Sequence, residues 1–155
     1  MDDHYFSADP AVAFRRAPMR ATVWGHDLDL VSGSGVFAQG RLDIGTAVLF
    51  RETEPPSGGV LLDLGCGYGV IGLAIAKAVP LSSVIGLDVN ERAILLANEN
   101  AAALGVGGHF VACREADVPS DLQFDEIWSN PPIRIGKQAL HDLLLTWFAR
   151  LTPGG

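Results

Sequence analysis

The sequence predicts an α/β fold, a doubly wound and mostly parallel sheet, and three observations carry that expectation. Four short apolar runs, VLLDL, SVIGLDV, HFVAC and FDEIWS, recur after residue 59. Helical patterns, VIGLAIAKAV, NERAILLANENAAALG and KQALHDLLLTWFARL, follow the first, second and fourth of them, the spacing of right-handed βαβ crossovers. A glycine-rich turn, GCGYG, joins the first run to the first helix.

Length and composition agree with a single globular domain. The chain has 155 residues, 48% hydrophobic and 19% charged, close to the usual domain size. No apolar run approaches the roughly 20 residues of a membrane helix. The start, MDDHYFSADP, is acidic and lacks the apolar centre of a secretory signal. Cys66 and Cys113 do not make a disulfide framework and are expected reduced, in a cytoplasmic protein. His4, His26, His109 and His141 share no metal-ligand spacing with one another or with a cysteine, so no metal is expected. The net charge of −7 argues against broad electrostatic capture of nucleic acid. It leaves room for a local basic patch: Arg15, Arg16 and Arg20 cluster early, and Arg134 and Lys137 lie close together later.

Taken in order, residues 1–19 show no clear period and read as an arm. Residues 20–31, RATVWGHDLDLV, read as two short strands around a Gly-His-Asp turn. SGSGVFAQGR is a glycine-rich loop, and LDIGTAVLFRE carries Leu42, Val48 and Leu49 at helical spacing. Glu-Pro-Pro-Ser-Gly-Gly closes that segment. VLLDL then reads as a strand buried on both faces except at Asp63. The helix VIGLAIAKAV stops at Pro80. The next helix has Asn90 as N-cap, Glu91 in its first turn and Gly105 past its end. The last helix has an apolar stripe through Leu140, Leu143, Leu144, Trp147 and Leu151.

The glycine turn is the first functional signal. Gly67, Gly69 and Gly72 follow the pattern G-x-G-x-x-G after a strand, and Asp88 ends the next strand, where an acid can hold a ribose. A dinucleotide cofactor fits that much. Asp63 opposes it: two residues before Gly65, an acid facing the crevice would repel a pyrophosphate by about 1 kcal/mol or more. S-adenosylmethionine carries an ammonium and a sulfonium and no phosphate, and an acid suits both. DLGCGYG with Asp88 resembles the first two motifs of class I S-adenosylmethionine-dependent methyltransferases, through Asp63, Gly65, Gly67, Gly69 and Asp88. The resemblance implies a Rossmann-like methyltransferase fold, with Val89 near adenine and Ala116 and Asp117 at its edge.

SNPPI, after the fourth strand, is the second signal. An exocyclic amino group is a poor nucleophile because its lone pair is delocalised. Two fixed acceptors that take its N–H bonds favour a tetrahedral nitrogen whose lone pair points at the methyl group. The side-chain oxygen of Asn130 is one acceptor and the carbonyl of Pro131 the other. Pro131 and Pro132 offer no N–H to compete, and each fixes φ near −65°. The motif supplies positioning and preorganised electrostatics rather than a general base. Amino-methyltransferases of nucleobases and of glutamine amides carry a similar Asn-Pro-Pro followed by an aromatic. Here that place is Ile133, so stacking on the base is lost or moved, with Phe37 as a candidate.

HYFSADPAV, SGVFAQGRLDIGTAVLF, the glycine loop, DVNERA and SNPPIRIGKQALH together resemble the single-domain relatives of the small-subunit ribosomal RNA guanine-N2 methyltransferases. That likeness implies that Phe37, Asp43 and Thr46 line the cofactor or base pocket, and that Arg134 and Lys137 contact RNA phosphates. Residues 20–58 are then a hairpin and helix capping the active site, and 59–155 the cofactor-binding core. In this family further strands follow the last helix. The chain stops at PGG, so a fragment of a longer protein is expected, with FDEIWS as an exposed apolar edge. The alternatives are another acceptor (DNA adenine, a protein glutamine amide or a small amine), a non-catalytic cofactor-binding module and an NAD oxidoreductase. The nucleotide methylated, the state of the RNA and the oligomeric state are not encoded in any motif.

Overall fold

A computed structural model describes residues 15–34, 42–131 and 135–155. The arm up to residue 14, Phe37 with its glycine-rich loop, and Pro132, Ile133 and Arg134 lie outside the described residues. The elements are β1 (Arg16–Val23), β2 (His26–Gly33), α1 (Ile44–Glu52), β3 (Gly59–Leu64), α2 (Val70–Ala78), β4 (Ser82–Leu87), α3 (Glu91–Leu104), β5 (Phe110–Cys113), β6 (Glu126–Ser129) and α4 (Lys137–Phe148). A parallel sheet runs in the order β5-β4-β3-β6, and β1-β2 form a separate antiparallel hairpin. The doubly wound expectation holds, with the fourth strand of the core beside the first.

The two-residue period of β3 sorts its side chains between two cores. Leu62 and Leu64 face Leu87, Phe124 and Trp147, the side α4 covers. Leu61 faces Leu73, Ile75, Leu96 and Phe110, the side of α2, α3 and the hairpin. Asp63 shares the face of Leu61. It is 1% exposed, which corrects the expectation that it escapes burial.

The hairpin begins at Arg16, so the predicted arm loses its last four residues to β1. Its turn is Trp24-Gly25 rather than Gly-His-Asp, since Val23 pairs with His26. Both turn residues have positive φ, 49° and 80°, the requirement of a type I′ turn. For Trp24 that backbone is unfavourable, and its ring offsets the cost. The indole packs edge-on to Phe50 at 5.2 Å and Trp128 at 5.8 Å, and its N–H donates to the Thr53 carbonyl at 3.1 Å. The turn thereby anchors the hairpin to α1 and β6. On the outer face, the cross-strand pairs Arg20–Asp29 and Thr22–Asp27 bond at 2.6 Å each. Arg16 pairs with Glu99 of α3. Two of the three early arginines are therefore held by carboxylates.

Asn100 ties the hairpin to the core. It is 2% exposed and sits seven residues after Ala93 on the buried stripe of α3. Its oxygen accepts from Val31 N–H at 2.9 Å; its nitrogen donates to the Val31 and Tyr68 carbonyls at 3.0 and 2.9 Å. Val31 thus turns its polar groups away from Pro18, its partner in β1. The missing N–H of Pro18 costs the ladder nothing.

The helix caps follow the sequence. Asn90 accepts from Arg92 and Ala93 N–H at 2.9 and 3.3 Å, and Gly105 (φ 75°) closes α3 by donating to Ala101 and Ala102. One boundary differs. Phe124 stands outside β6 and bridges to Leu151, because its N–H bonds Arg150 and its carbonyl accepts from Thr152. Leu151 accordingly leaves the α4 stripe. Among the described residues no strand pairs with the free edge of β6, and a groove of about 430 Å³ runs along it between Leu49, Trp128, Phe148 and Leu151. No helix among the described residues is long and apolar enough to cross a membrane.

Candidate active site

The carboxyl ends of β3, β4, β5 and β6 converge on one edge of the sheet, where a doubly wound fold binds its ligands. The glycine loop leaves β3 here. Gly65, Gly67 and Gly69 all have positive φ, 72°, 55° and 101°, which explains the spacing of glycines: any side chain would strain these turns. Gly69 is also crowded, since a Cβ there would lie 2.9 Å from Leu73 and 3.1 Å from Ala97. Gly65 and Cys66 both donate N–H to the Leu87 carbonyl, at 2.8 and 2.9 Å, so the loop folds across the end of β4.

Two buried carboxyls support the loop. Asp88, 4% exposed, accepts from Gly67 N–H and Asn90 N–H, each at 2.9 Å. Asp63 accepts from Gly72 N–H at 2.8 Å, supplying the cap that α2 lacks at its own N-cap, Gly69. The other Asp63 oxygen has no partner among the described residues. Burial pushes this carboxyl up to about 7; the Gly72 N–H opposes the shift and the neighbouring Asp88 adds to it. Asp63 therefore holds the loop from beneath rather than standing in the open crevice. The reason is the strand period, which aims it at α2. The loop turns its two side chains, Cys66 and Tyr68, into the core, 6% and 3% exposed, and the glycines leave bare backbone for a ligand to approach.

Val89, 39% exposed, follows Asp88 at the end of β4. Ala116 and Asp117 lie in an exposed single turn, Glu115–Asp117, after β5. Lys137 is exposed at the first turn of α4.

Asn130 completes the edge. Ser129 donates its hydroxyl to the Leu64 carbonyl at 2.8 Å, which locks the end of β6 against the end of β3. The Asn130 amide nitrogen then donates to Asp43 Oδ2 at 2.6 Å and Thr46 Oγ1 at 3.0 Å. Among the described residues, nothing donates to its Oδ1 or to the Pro131 carbonyl. Asp43 is the N-cap of α1, and the same Oδ2 accepts from Thr46 N–H at 3.2 Å. Tyr68 is 3% exposed; burial, and secondarily Asp43, push its phenol up to about 12. Asp43 thus bonds Asn130 directly and lies near enough to Tyr68 for its charge to be felt there. The structure brings together Asp63, Gly65, Gly67, Gly69 and Asp88 in one group, and Asp43, Thr46 and Asn130 in another.

Sequence reasoning missed Gly45 and Asn100. A Cβ at Gly45 would lie 3.1 Å from Asp43 Oδ2 and 3.3 Å from Asn130 Oδ1, so a bare residue lets α1 approach Asn130. No local pattern marks that contact. Asn100 had a signal, an amide on an otherwise apolar helical stripe.

The profile of the methyltransferase small domain family matches residues 27–155. The chain belongs to that family. It is 37% identical over 146 residues to the Bacillus subtilis protein YbxB, covering 91% of this chain and 72% of that one. It is 40% identical over 134 residues to ribosomal RNA small subunit methyltransferase C of Pseudomonas aeruginosa, covering 83% of this chain and 40% of the relative's length. A solved S-adenosylmethionine-dependent methyltransferase from Thiobacillus denitrificans, in complex with S-adenosyl-L-homocysteine, superposes with a TM-score of 0.55 at 26% identity, over 74% of this chain and 46% of that one. The expected class, an S-adenosylmethionine-dependent methyltransferase related to the small-subunit ribosomal RNA enzymes, is borne out at the level of family. Since Asp63 is buried, the weight against a dinucleotide comes from this kinship and from Asn130 rather than from repulsion in the crevice.

Proposed function

We propose that the chain is a cytoplasmic N-methyltransferase that acts on an exocyclic amino group, guanine N2 of small-subunit ribosomal RNA. The observation that carries the reading is the Asn130 amide at the sheet edge beside the glycine loop, with its nitrogen already bonded and its oxygen left to accept. Bound S-adenosyl-L-methionine supplies an electrophilic methyl on a sulfonium, whose C–S bonding pair returns to sulfur. Gly65, Gly67 and Gly69 let the backbone reach its methionine part. Asp63 and Asp88 hold the loop in that shape. Asp88 would take the ribose hydroxyls, Val89 would pack near adenine, and Ala116 and Asp117 would meet the adenine edge.

Asn130 Oδ1 and the Pro131 carbonyl accept the two N–H bonds of the amine. The lone pair turns toward the methyl, and a proton leaves the nitrogen for water after transfer. Pro132 offers no N–H to compete for the amine, and Ile133 stands where related enzymes carry an aromatic. Lys137, with Arg134, meets RNA phosphates, while Arg16 and Arg20 are occupied by Glu99 and Asp29. This leaves a small basic contact, consistent with an acidic chain that recognises a shaped RNA site rather than any nucleic acid.

The test is transfer of a labelled methyl to small-subunit ribosomal RNA, naked and in assembled particles, followed by digestion to nucleosides. N2-methylguanosine is expected. Label in N6-methyladenosine, or in protein glutamine alone, would replace the acceptor and keep the amine chemistry.

A further inference from the structure

We propose that Asp43 and Thr46 are positioning residues for methyl transfer. They orient the Asn130 amide so that its oxygen alone faces the acceptor amine, and they do this without holding the cofactor. The proposal rests on the reading of Asn130 given above.

A carboxylate can only accept a hydrogen bond. The Asn130 atom 2.6 Å from Asp43 Oδ2 is therefore the nitrogen; a flipped amide would press two acceptor oxygens together. Thr46 Oγ1 at 3.0 Å takes the second N–H. With both donors consumed, Asn130 shows the crevice an acceptor and nothing else. Donation to a charged partner also polarises the amide and makes its oxygen a stronger acceptor.

The clamp is itself held. Asp43 is fixed by capping α1, Thr46 is 3% exposed, and Gly45 between them admits Asn130 at a distance no side chain would tolerate comfortably. One helical turn thus converges on a residue 84 to 87 positions later in the chain. Among the described residues, the hydrogen bonds of the Asp43 and Thr46 side chains go to Asn130 and to the cap of α1, while the carboxyls that hold the glycine loop are Asp63 and Asp88.

The experiment has two readouts. The side-chain NH2 signals of Asn130, assigned by their loss in Asn130→Ala, are followed by hydrogen exchange. Asp43→Ala is expected to speed that exchange about tenfold or more, the loss of one charge-assisted bond. Single-turnover transfer to ribosomal RNA at saturating cofactor is measured alongside. Asp43→Ala should slow it by about 10- to 100-fold and Thr46→Val by about tenfold. The dissociation constant for S-adenosylhomocysteine should stay within about twofold. Thr46→Ser restores the rate, and Asp43→Asn, which keeps the cap and loses the charge, falls between. Asp43→Ala added to Asn130→Ala should slow transfer no further.

Unchanged amide exchange in Asp43→Ala, or weakened cofactor binding with an unchanged rate, overturns the proposal. A slowed Asn130→Ala beside a full-speed Asp43→Ala defeats the clamp alone. A wild-type rate in Asn130→Ala defeats the reading of the site and the clamp with it.

Discussion

The glycine loop and the Asn130 corner sit at the same sheet edge and are built in different ways. The loop draws its support from β3, β4 and its own following helix: Asp63 reaches Gly72 nine residues on, and Asp88 reaches back to Gly67 across one strand pairing. Asn130 draws its support from α1, more than eighty residues upstream. The first is a property of one βαβ unit. The second exists only when the N-terminal hairpin and helix dock on the core, through Trp24 on Phe50 and Trp128 and through Asn100 on Val31. Cofactor binding should therefore depend on the local unit, and transfer on the docking.

The sharpest way to break that contrast is Asn130→Ala. Transfer should fall by about 10²- to 10³-fold, the scale of losing one preorganised electrostatic group. Affinity for S-adenosylhomocysteine, measured by calorimetry, should stay within about twofold. Equal losses in both would merge the two regions into one.

The next effect belongs to the loop side. Asp63 titrates at about 7 when folded and near 3.9 unfolded. Below the unfolded value both states are protonated and nothing is lost. As pH rises from about 4 to 7 the unfolded state ionises first, so the native state loses stability, by at most about 1.4 kcal/mol per pH unit. Denaturation of wild type and Asp63→Asn across that window should show the variant gaining relative stability with pH, and a flat difference would place the carboxyl in a more polar setting.

Asn100→Ala sharpens the contrast from the docking side. It strands the N–H and carbonyl of Val31 and the carbonyl of Tyr68, and should cost about 2–3 kcal/mol in denaturant unfolding. Transfer should suffer more than cofactor binding, because the hairpin carries α1. Gly69→Ala gives the opposite signature at the smallest scale. It should cost about 1–2 kcal/mol for its positive φ, with a loss of cofactor affinity as the loop shifts from Leu73 and Ala97.

The same contrast explains what was legible in the sequence. The loop could be read because strand, glycine spacing and terminal acid lie in one stretch, DLGCGYG to Asp88, and each glycine answers a local φ. The caps Asn90 and Gly105 were legible for the same reason. Asn130 was legible by type and place, yet its partnership with Asp43 and Thr46 was not, because no periodicity links residues 84 to 87 apart. Asp63 was misjudged through its charge: a carboxyl suggested exposure, while the two-residue period of β3 sends it under α2 beside Leu61's face. The Trp24-Gly25 turn was misplaced by one step because a tryptophan is an unusual residue for positive φ, and only its packing on Phe50 and Trp128 makes it tolerable.

The most direct test of the central claim, a glycine loop held by Asp63 and Asp88 that takes an S-adenosyl ligand and not a dinucleotide, is titration calorimetry of the chain with S-adenosylhomocysteine and, separately, NADH. Saturable binding of the first and none of the second is the predicted result. Binding of NADH without S-adenosylhomocysteine would contradict it.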